Sequence, residues 1–138
     1  MPSREQAENF MKEFYALERE RNSIQYAIKQ LMDFNATLEE YREIGGLDSV
    51  KKIENLINKN NETVVTKLER INEMLPKISS VRCFMDELDN ESKYLLELRF
   101  KKNRGFESIG YELNISKSTV GRRLEILLTA LSNDLGKI

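Results

Sequence analysis

Phe10, Leu17, Ile24, Leu31 and Leu38 stand seven residues apart without a miss. A repeat of that period, held over so many turns, confines the segment to a helix lying in a coiled-coil seam. The companion positions Phe14, Arg21, Ile28, Asn35 and Arg42 are mixed in character. A polar Asn35 in such a seam either sets register or oligomer state at some cost in stability, or faces solvent near the hairpin end. Ser3 is placed to cap this helix, and no Pro or Gly follows until Gly45.

Gly45-Gly46 interrupts the pattern, and Leu47-Asp48 restarts it with an N-cap. Val50, Ile57, Val64, Ile71 and Ile78 again stand seven apart, joined by Ile53, Leu68 and Leu75. Two long helices joined by so short a turn run antiparallel, as an αα-hairpin. At 1.5 Å per residue the first spans about 60 Å and the second about 40 Å. The N-terminal third of the first helix therefore runs past its partner, and Phe10, Phe14 and Tyr15 in that overhang need cover, from the C-terminal part or from a second chain. A hairpin with a repeat on both helices buries little by itself, so a homodimer through the N-terminal helices is expected.

Pro76 fits the first turn of a new helix, where its missing N–H is no loss. The sequence thus divides into a helical hairpin for oligomerisation at 1–75 and a second domain at 76–138. Ile78, Val81, Cys83, Phe84, Met85 and Leu88 form a short apolar helix. Asp89-Asn90-Glu91 reads as turn and cap, and ESKYLLELRFKK from Glu91 to Lys102 as another helix. Within it Tyr94, Leu95, Leu98 and Phe100 pack inward, while Arg99, Lys101 and Lys102 cluster at its end. Asn103-Arg104-Gly105 is the following turn.

The line GFESIGYELNISKSTVGRRLEILLTAL, Gly105 to Leu131, is the most informative about function. Ile109, Leu113 and Ile115 are followed by Val120, Leu124, Leu127 and Leu131 at helical spacing. Asn114 tolerates a left-handed backbone in the tight turn between the two runs. Ser116 is a favoured N-cap for the second. Gly110 falls where a side chain would push the two apart. The result is a helix-turn-helix, an arrangement that docks its second helix in the DNA major groove through residues near that helix's N-terminus. Those are Lys117, Ser118, Thr119, Gly121 and Arg122. Lys and Arg suit guanine edges or phosphates, and Ser or Thr can read either base class.

Charge follows the same division. The chain carries −1 overall. Residues 1–91 hold 13 Lys or Arg against 18 Asp or Glu, whereas residues 92–131 hold 8 against 4. A basic tip on an acidic body suits a nucleic-acid module on a protein-facing stalk.

Other chemistries lose support from composition. There is no histidine, which removes the commonest general acid–base group and every His-ligated metal site. The single Cys83 can neither staple a fold nor form a zinc cluster, and is expected as a small buried apolar residue. Gly45-Gly46 is not followed by the Lys-Ser/Thr of a phosphate-cradling loop. Glu39-Glu40-Glu43 and Asp86-Glu87-Asp89-Glu91 read as solvated helix faces and a turn. The expectation is therefore no enzyme, no metal and no cofactor. No apolar run reaches the length of a membrane span, and Met1 to Glu5 holds no signal region, so a cytoplasmic protein is expected.

The stretches Leu98-Arg99-Phe100, Ile109 and Ile115-Ser116, taken with the helix-turn-helix line, resemble region 4 of bacterial sigma factors, the domain that reads the promoter −35 element. The whole chain is similar in length and layout to the ArpU and RinA families of phage late-gene transcriptional regulators. Over residues 74–133 the resemblance is one of sequence; over the N-terminal hairpin it is architectural. It implies an all-α protein, a long antiparallel coiled-coil-like hairpin followed by a small sigma region 4-like domain. It further implies sequence-specific binding to double-stranded DNA at a phage or prophage promoter, with RNA polymerase an open further partner.

By position, base contacts would fall on Lys117, Ser118, Gly121 and Arg122. Phosphate contacts would fall on Lys101, Lys102, Arg104, Ser116 and Arg123. The chain departs from the family pattern at Arg123, which stands where an apolar residue is usual, and at Gly121, which stands where a charged one is common. Two other readings of the same layout are a small-terminase-like DNA-packaging subunit, which would form a ring of many copies, and a coiled-coil adaptor. An adaptor would not need Lys101, Lys102, Arg104, Lys117, Arg122 and Arg123 on neighbouring elements.

Overall fold

The computed structural model describes residues 4–135, apart from the side chains of Leu47 and Asp48. The caps expected from Ser3 and Asp48 therefore lie outside the described residues. The fold is all-α: α1 (Arg4–Arg42), α2 (Leu47–Asp86), α3 (Asn90–Leu96), a π-helical segment (Glu97–Lys101), α4 (Phe106–Leu113) and α5 (Lys117–Leu135). No helix among the described residues is long and apolar enough to cross a membrane.

The chain forms two compact units: Arg19–Leu75, and the described residues up to Glu18 together with those from Pro76 onward. In the first unit the repeat read from the sequence faces inward. Ile24, Ile28, Leu31 and Leu38 of α1, and Val50, Ile53, Ile57, Val64 and Ile71 of α2, are all half-buried or buried. The companion stripe on α2 differs from expectation. Leu68 and Leu75 are exposed, and the seam instead runs through Ile53, Asn60, Lys67 and Met74. The strict seven-residue step from Ile53 reaches those positions, and hydrophobicity alone had pointed one residue further on.

Asn35 is a cross-helix contact. Its Nδ2 donates to Asn61 Oδ1 at 3.0 Å and its Oδ1 accepts from Asn60 Nδ2 at 2.9 Å. Of the two readings of this residue, the register-setting one matches the geometry, because sliding either helix by a turn breaks both bonds. Arg42 with Glu54 at 2.8 Å and Arg70 with Glu20 at 2.9 Å add ion pairs along the hairpin.

Pro76 does not begin a helix. It lies inside α2, which continues to Asp86 and at 40 residues spans about 60 Å rather than about 40 Å. An interior Pro costs about 3 kcal/mol. Burial of Met74, Ile78 and Val81 around it offsets that, at roughly 1.5–3 kcal/mol for each large side chain removed from water. One limit between the two units falls at Pro76 and the other at Glu18, so the described start of α1 belongs to the same unit as the residues from Pro76 onward and not to the hairpin unit.

In the second unit Ala7, Met11, Phe14, Tyr15 and Leu17 of α1 are buried, as are Ile78, Val81, Phe84 and Met85 of α2. The overhang expected at the start of α1 thus finds cover within its own chain. Phe14 and Tyr15 meet edge to face at 5.0 Å, and Tyr15 donates to Met85 Sδ at 3.8 Å. Burial, with the nearby Glu97 charge, raises the Tyr15 phenol well above its ordinary value. Cys83 is exposed, not buried, because it sits on the opposite face of α2 from Val81, Phe84 and Met85.

Candidate nucleic-acid interface

Asp89 opens α3 by accepting from the Ser92 backbone N–H at 2.7 Å, and the Ser92 side chain, together with that bond, holds its carboxyl below the usual carboxylate range. Leu95, Leu96, Leu98 and Phe100 then point inward. Tyr94 does not. It is exposed, and its hydroxyl donates to Glu112 at 2.7 Å. The helix expected to run to Lys102 changes pitch at Glu97, where the Lys102 N–H reaches back to the Glu97 carbonyl at 3.0 Å. Asn103 then takes a left-handed φ of 54° and turns the chain toward α4.

The turn between α4 and α5 is built as its residues require. Asn114 is left-handed, at φ 57° and ψ 44°, and its N–H bonds the Gly110 carbonyl. Gly110 is buried, and a Cβ there would stand 2.7 Å from the Ile115 carbonyl oxygen. The close neighbour is thus the backbone of the turn, so no larger residue fits without moving it. Ser116 Oγ accepts from the Thr119 N–H at 3.1 Å, an N-cap typically worth about 1 kcal/mol. Val120, Leu124, Leu127, Leu128 and Leu131 form the inward face of α5.

This leaves Lys117, Ser118 and Arg122 exposed on the first turns of α5. Arg122 donates to Thr119 Oγ1 at 3.2 Å, and Thr119 Oγ1 shares a 2.8 Å hydrogen bond with Ser116 Oγ. The cap thereby steadies the arginine one turn later. Gly121 lies against Phe106, where an added Cβ would sit 3.4 Å from the ring. At 3.4 Å the ring is at an ordinary contact distance, so the space beside Phe106 would take a methyl group at Gly121. The Arg99 guanidinium stands over the same ring, 4.8 Å from its centroid, and Arg99 also donates to the Arg104 carbonyl at 3.1 Å.

The expected phosphate-binding residues fall into groups. Arg104 donates to Ser108 Oγ at 2.8 Å and pairs with Glu112 at 3.4 Å. Arg123 pairs with Glu91. Lys102 is exposed, and its charge helps lower the Glu112 carboxyl, after the larger effects of the Tyr94 hydrogen bond and Arg104. Lys101 is brought elsewhere, into a hollow lined by Phe14, Tyr15, Arg82 and Lys93.

Tyr111 is a residue the sequence reasoning passed over. It is 90% exposed and borders a shallow hollow with Glu107, Asn114, Ser116 and Lys117. Its place outside the Ile109–Leu113 apolar pattern was the available signal. Among the described residues no cluster of His, Cys, Asp or Glu could hold a metal ion. No family model, curated protein or solved structure matches this chain.

Proposed function

We propose that this chain is a sequence-specific DNA-binding transcriptional regulator, of the phage or prophage late-gene kind its sequence resembles, and that it acts by binding rather than by catalysis. The observation that carries the reading is the start of α5. A left-handed Asn114 and a capping Ser116 present Lys117, Ser118 and Arg122 to solvent on one short stretch of helix. A helix of this kind enters the major groove by its N-terminal turns.

In this reading Lys117, Ser118 and Arg122 meet base edges. Lys102, the Ser116 cap and Tyr111 meet the backbone alongside. Arg104 and Arg123 reach a phosphate by exchanging their bonds to Glu112 and Glu91.

Selection from a random duplex library tests this. A discrete enriched site, bound with a steep salt dependence, is the expected result, because each phosphate contact releases counterions. Retention of no sequence above background at low salt would overturn it.

A further inference from the structure

The hairpin unit carries a second helical seam that, beyond a half-buried Ala27, its own fold leaves uncovered. Ala27, Gln30, Phe34, Thr37, Tyr41 and Ile44 follow one another at alternating steps of three and four along α1 and into the turn after it. Those are the steps of a coiled-coil face, but none of these positions belongs to the stripe that pairs with α2. Phe34 is 50% exposed, Tyr41 61% and Ile44 81%. Leu56 of α2, 44% exposed, shares this flank. Glu20 and Arg70 bond across the hairpin on that side; Phe34 lies two heptads after Glu20, and Leu56 two heptads before Arg70.

The character of this face decides what fits on it. Charged residues make up 33% of the chain, yet none of these six is charged. Nucleic acid needs a cationic face, and a membrane surface needs Lys or Arg along the edge of the apolar strip. Here the edge is mixed, with Asp33 and Glu40 beside the strip on α1 and Lys52 and Lys59 about one turn either side of Leu56 on α2, signs that a second copy can complement. The three-and-four spacing calls for a helix with the same repeat and an apolar, aromatic face. A second α1 is such a helix.

We propose that a second copy of the chain packs here, α1 against α1, through Phe34, Thr37, Tyr41 and Ile44. An aromatic side chain buries about 150–250 Å², so the exposed parts of Phe34 and Tyr41 with Ile44 leave roughly 300 Å² per copy. Gln30, Thr37 and Leu56 add to that strip but keep it near or below the roughly 800 Å² per partner of a stable interface. The pairing is therefore concentration-dependent. It does not depend on the DNA-binding reading.

Sedimentation of the full chain across a concentration series tests the proposal, with a mass that moves from monomer to dimer. Phe34→Glu with Tyr41→Glu weakens the dimer by more than about tenfold, the loss expected when central aromatic anchors are removed. Leu68→Glu with Leu75→Glu, on exposed positions of α2, leaves it unchanged. Should the first pair of substitutions also reduce helix content, a second measurement decides. Thr37→Cys in a Cys83→Ser background, near the middle of the face, yields covalent dimers with a short bis-maleimide whichever way the two helices run. A monomer at every concentration, a ring of many copies, or dissociation by the Leu68 and Leu75 changes instead would each overturn it.

Discussion

The unit that carries the helix-turn-helix and the hairpin unit are built from the same kind of helix, yet they bury side chains very differently. In the former, Met11, Leu95, Leu96, Leu98, Ile109, Val120, Leu124, Leu128 and Leu131 are almost completely enclosed. In the hairpin Met74 reaches that class and Leu38 falls short of it at 9%, while Tyr26, Met32, Phe34, Tyr41, Leu56, Val65, Leu68 and Leu75 stay exposed. Several helices meeting at different angles cover a side chain from all directions, whereas two antiparallel helices share one seam and cover it from one. The hairpin accordingly relies on polar cross-links, Asn35 with Asn60 and Asn61 and Arg70 with Glu20. Exposed ion pairs of that sort contribute about 0–1 kcal/mol each. Its fold is specified more by register than by enclosed volume.

The sharpest way to break the comparison is a carboxylate in each unit. Val120 is fully enclosed, and Val120→Asp strands a charge without a partner, at a cost of at least about 3 kcal/mol. Leu68→Asp, on an exposed position, stays within about 0.5 kcal/mol. Thermal unfolding followed by circular dichroism is expected to show the Val120 variant losing the helix of its own unit while the Arg19–Leu75 signal persists. One cooperative loss of all helix would mean that the two units do not fold separately.

Glycine makes the same contrast on a smaller scale. Gly110→Ala pushes a methyl group into the Ile115 carbonyl at 2.7 Å, which costs about 1–3 kcal/mol because backbone must move. A Cβ on Gly46 meets nothing within 4 Å, and Gly46 lacks a positive φ. Gly46→Ala therefore leaves stability unchanged or raises it by about 0.4–1 kcal/mol through the unfolded chain. Urea midpoints of the two variants moving in the same direction would refute the distinction.

What the sequence disclosed follows from this contrast. The seven-residue repeat on α1, Asn114 in the turn and the Ser116 cap were legible because each depends on a few neighbouring residues. The α2 companion stripe is not legible at Leu68 and Leu75, because hydrophobicity and strict spacing point to different residues there. Pro76 was misread because its local preference was set against burial of Met74, Ile78 and Val81, which no local rule contains. Tyr94 and Cys83 failed likewise, through partners and faces set by tertiary packing. At the candidate interface the exposed Lys117, Ser118 and Arg122 were legible. The bonds of Arg104 to Glu112 and Arg123 to Glu91 were not, because those carboxylates lie on other elements.

The comparison extends to binding. Arg122→Ala is expected to weaken binding of the selected DNA site by about 1–3 kcal/mol while leaving both unfolding transitions in place. Asn35→Ala does the reverse. It leaves Asn60 and Asn61 without their partner and lowers the hairpin transition by about 1 kcal/mol, with DNA affinity per monomer unchanged. A titration in which Arg122→Ala binds as wild type would remove Arg122 from the base-reading set.

The smallest expected effects are those of pH, and they too separate the units. Glu112 accepts from Tyr94 at 2.7 Å and pairs with Arg104 at 3.4 Å, and these hold its carboxyl below the ordinary glutamate range, while the hydrogen bond to Glu112 raises the Tyr94 phenol. Glu20 is held low in the hairpin by its hydrogen bonds to Arg70. A carboxyl whose folded value is depressed contributes stability above its unfolded value and loses it as pH falls through the folded one. Both transitions should therefore weaken on acidification through and below the ordinary glutamate range. Glu112→Gln should flatten that dependence for the helix-turn-helix unit and Glu20→Gln for the hairpin, each without altering the other. If Glu112→Gln leaves the acid slope of its own unit as it was, the Tyr94–Glu112–Arg104 cluster is a surface arrangement that stabilises nothing. Arg104 would then be free for a phosphate at no cost to the fold.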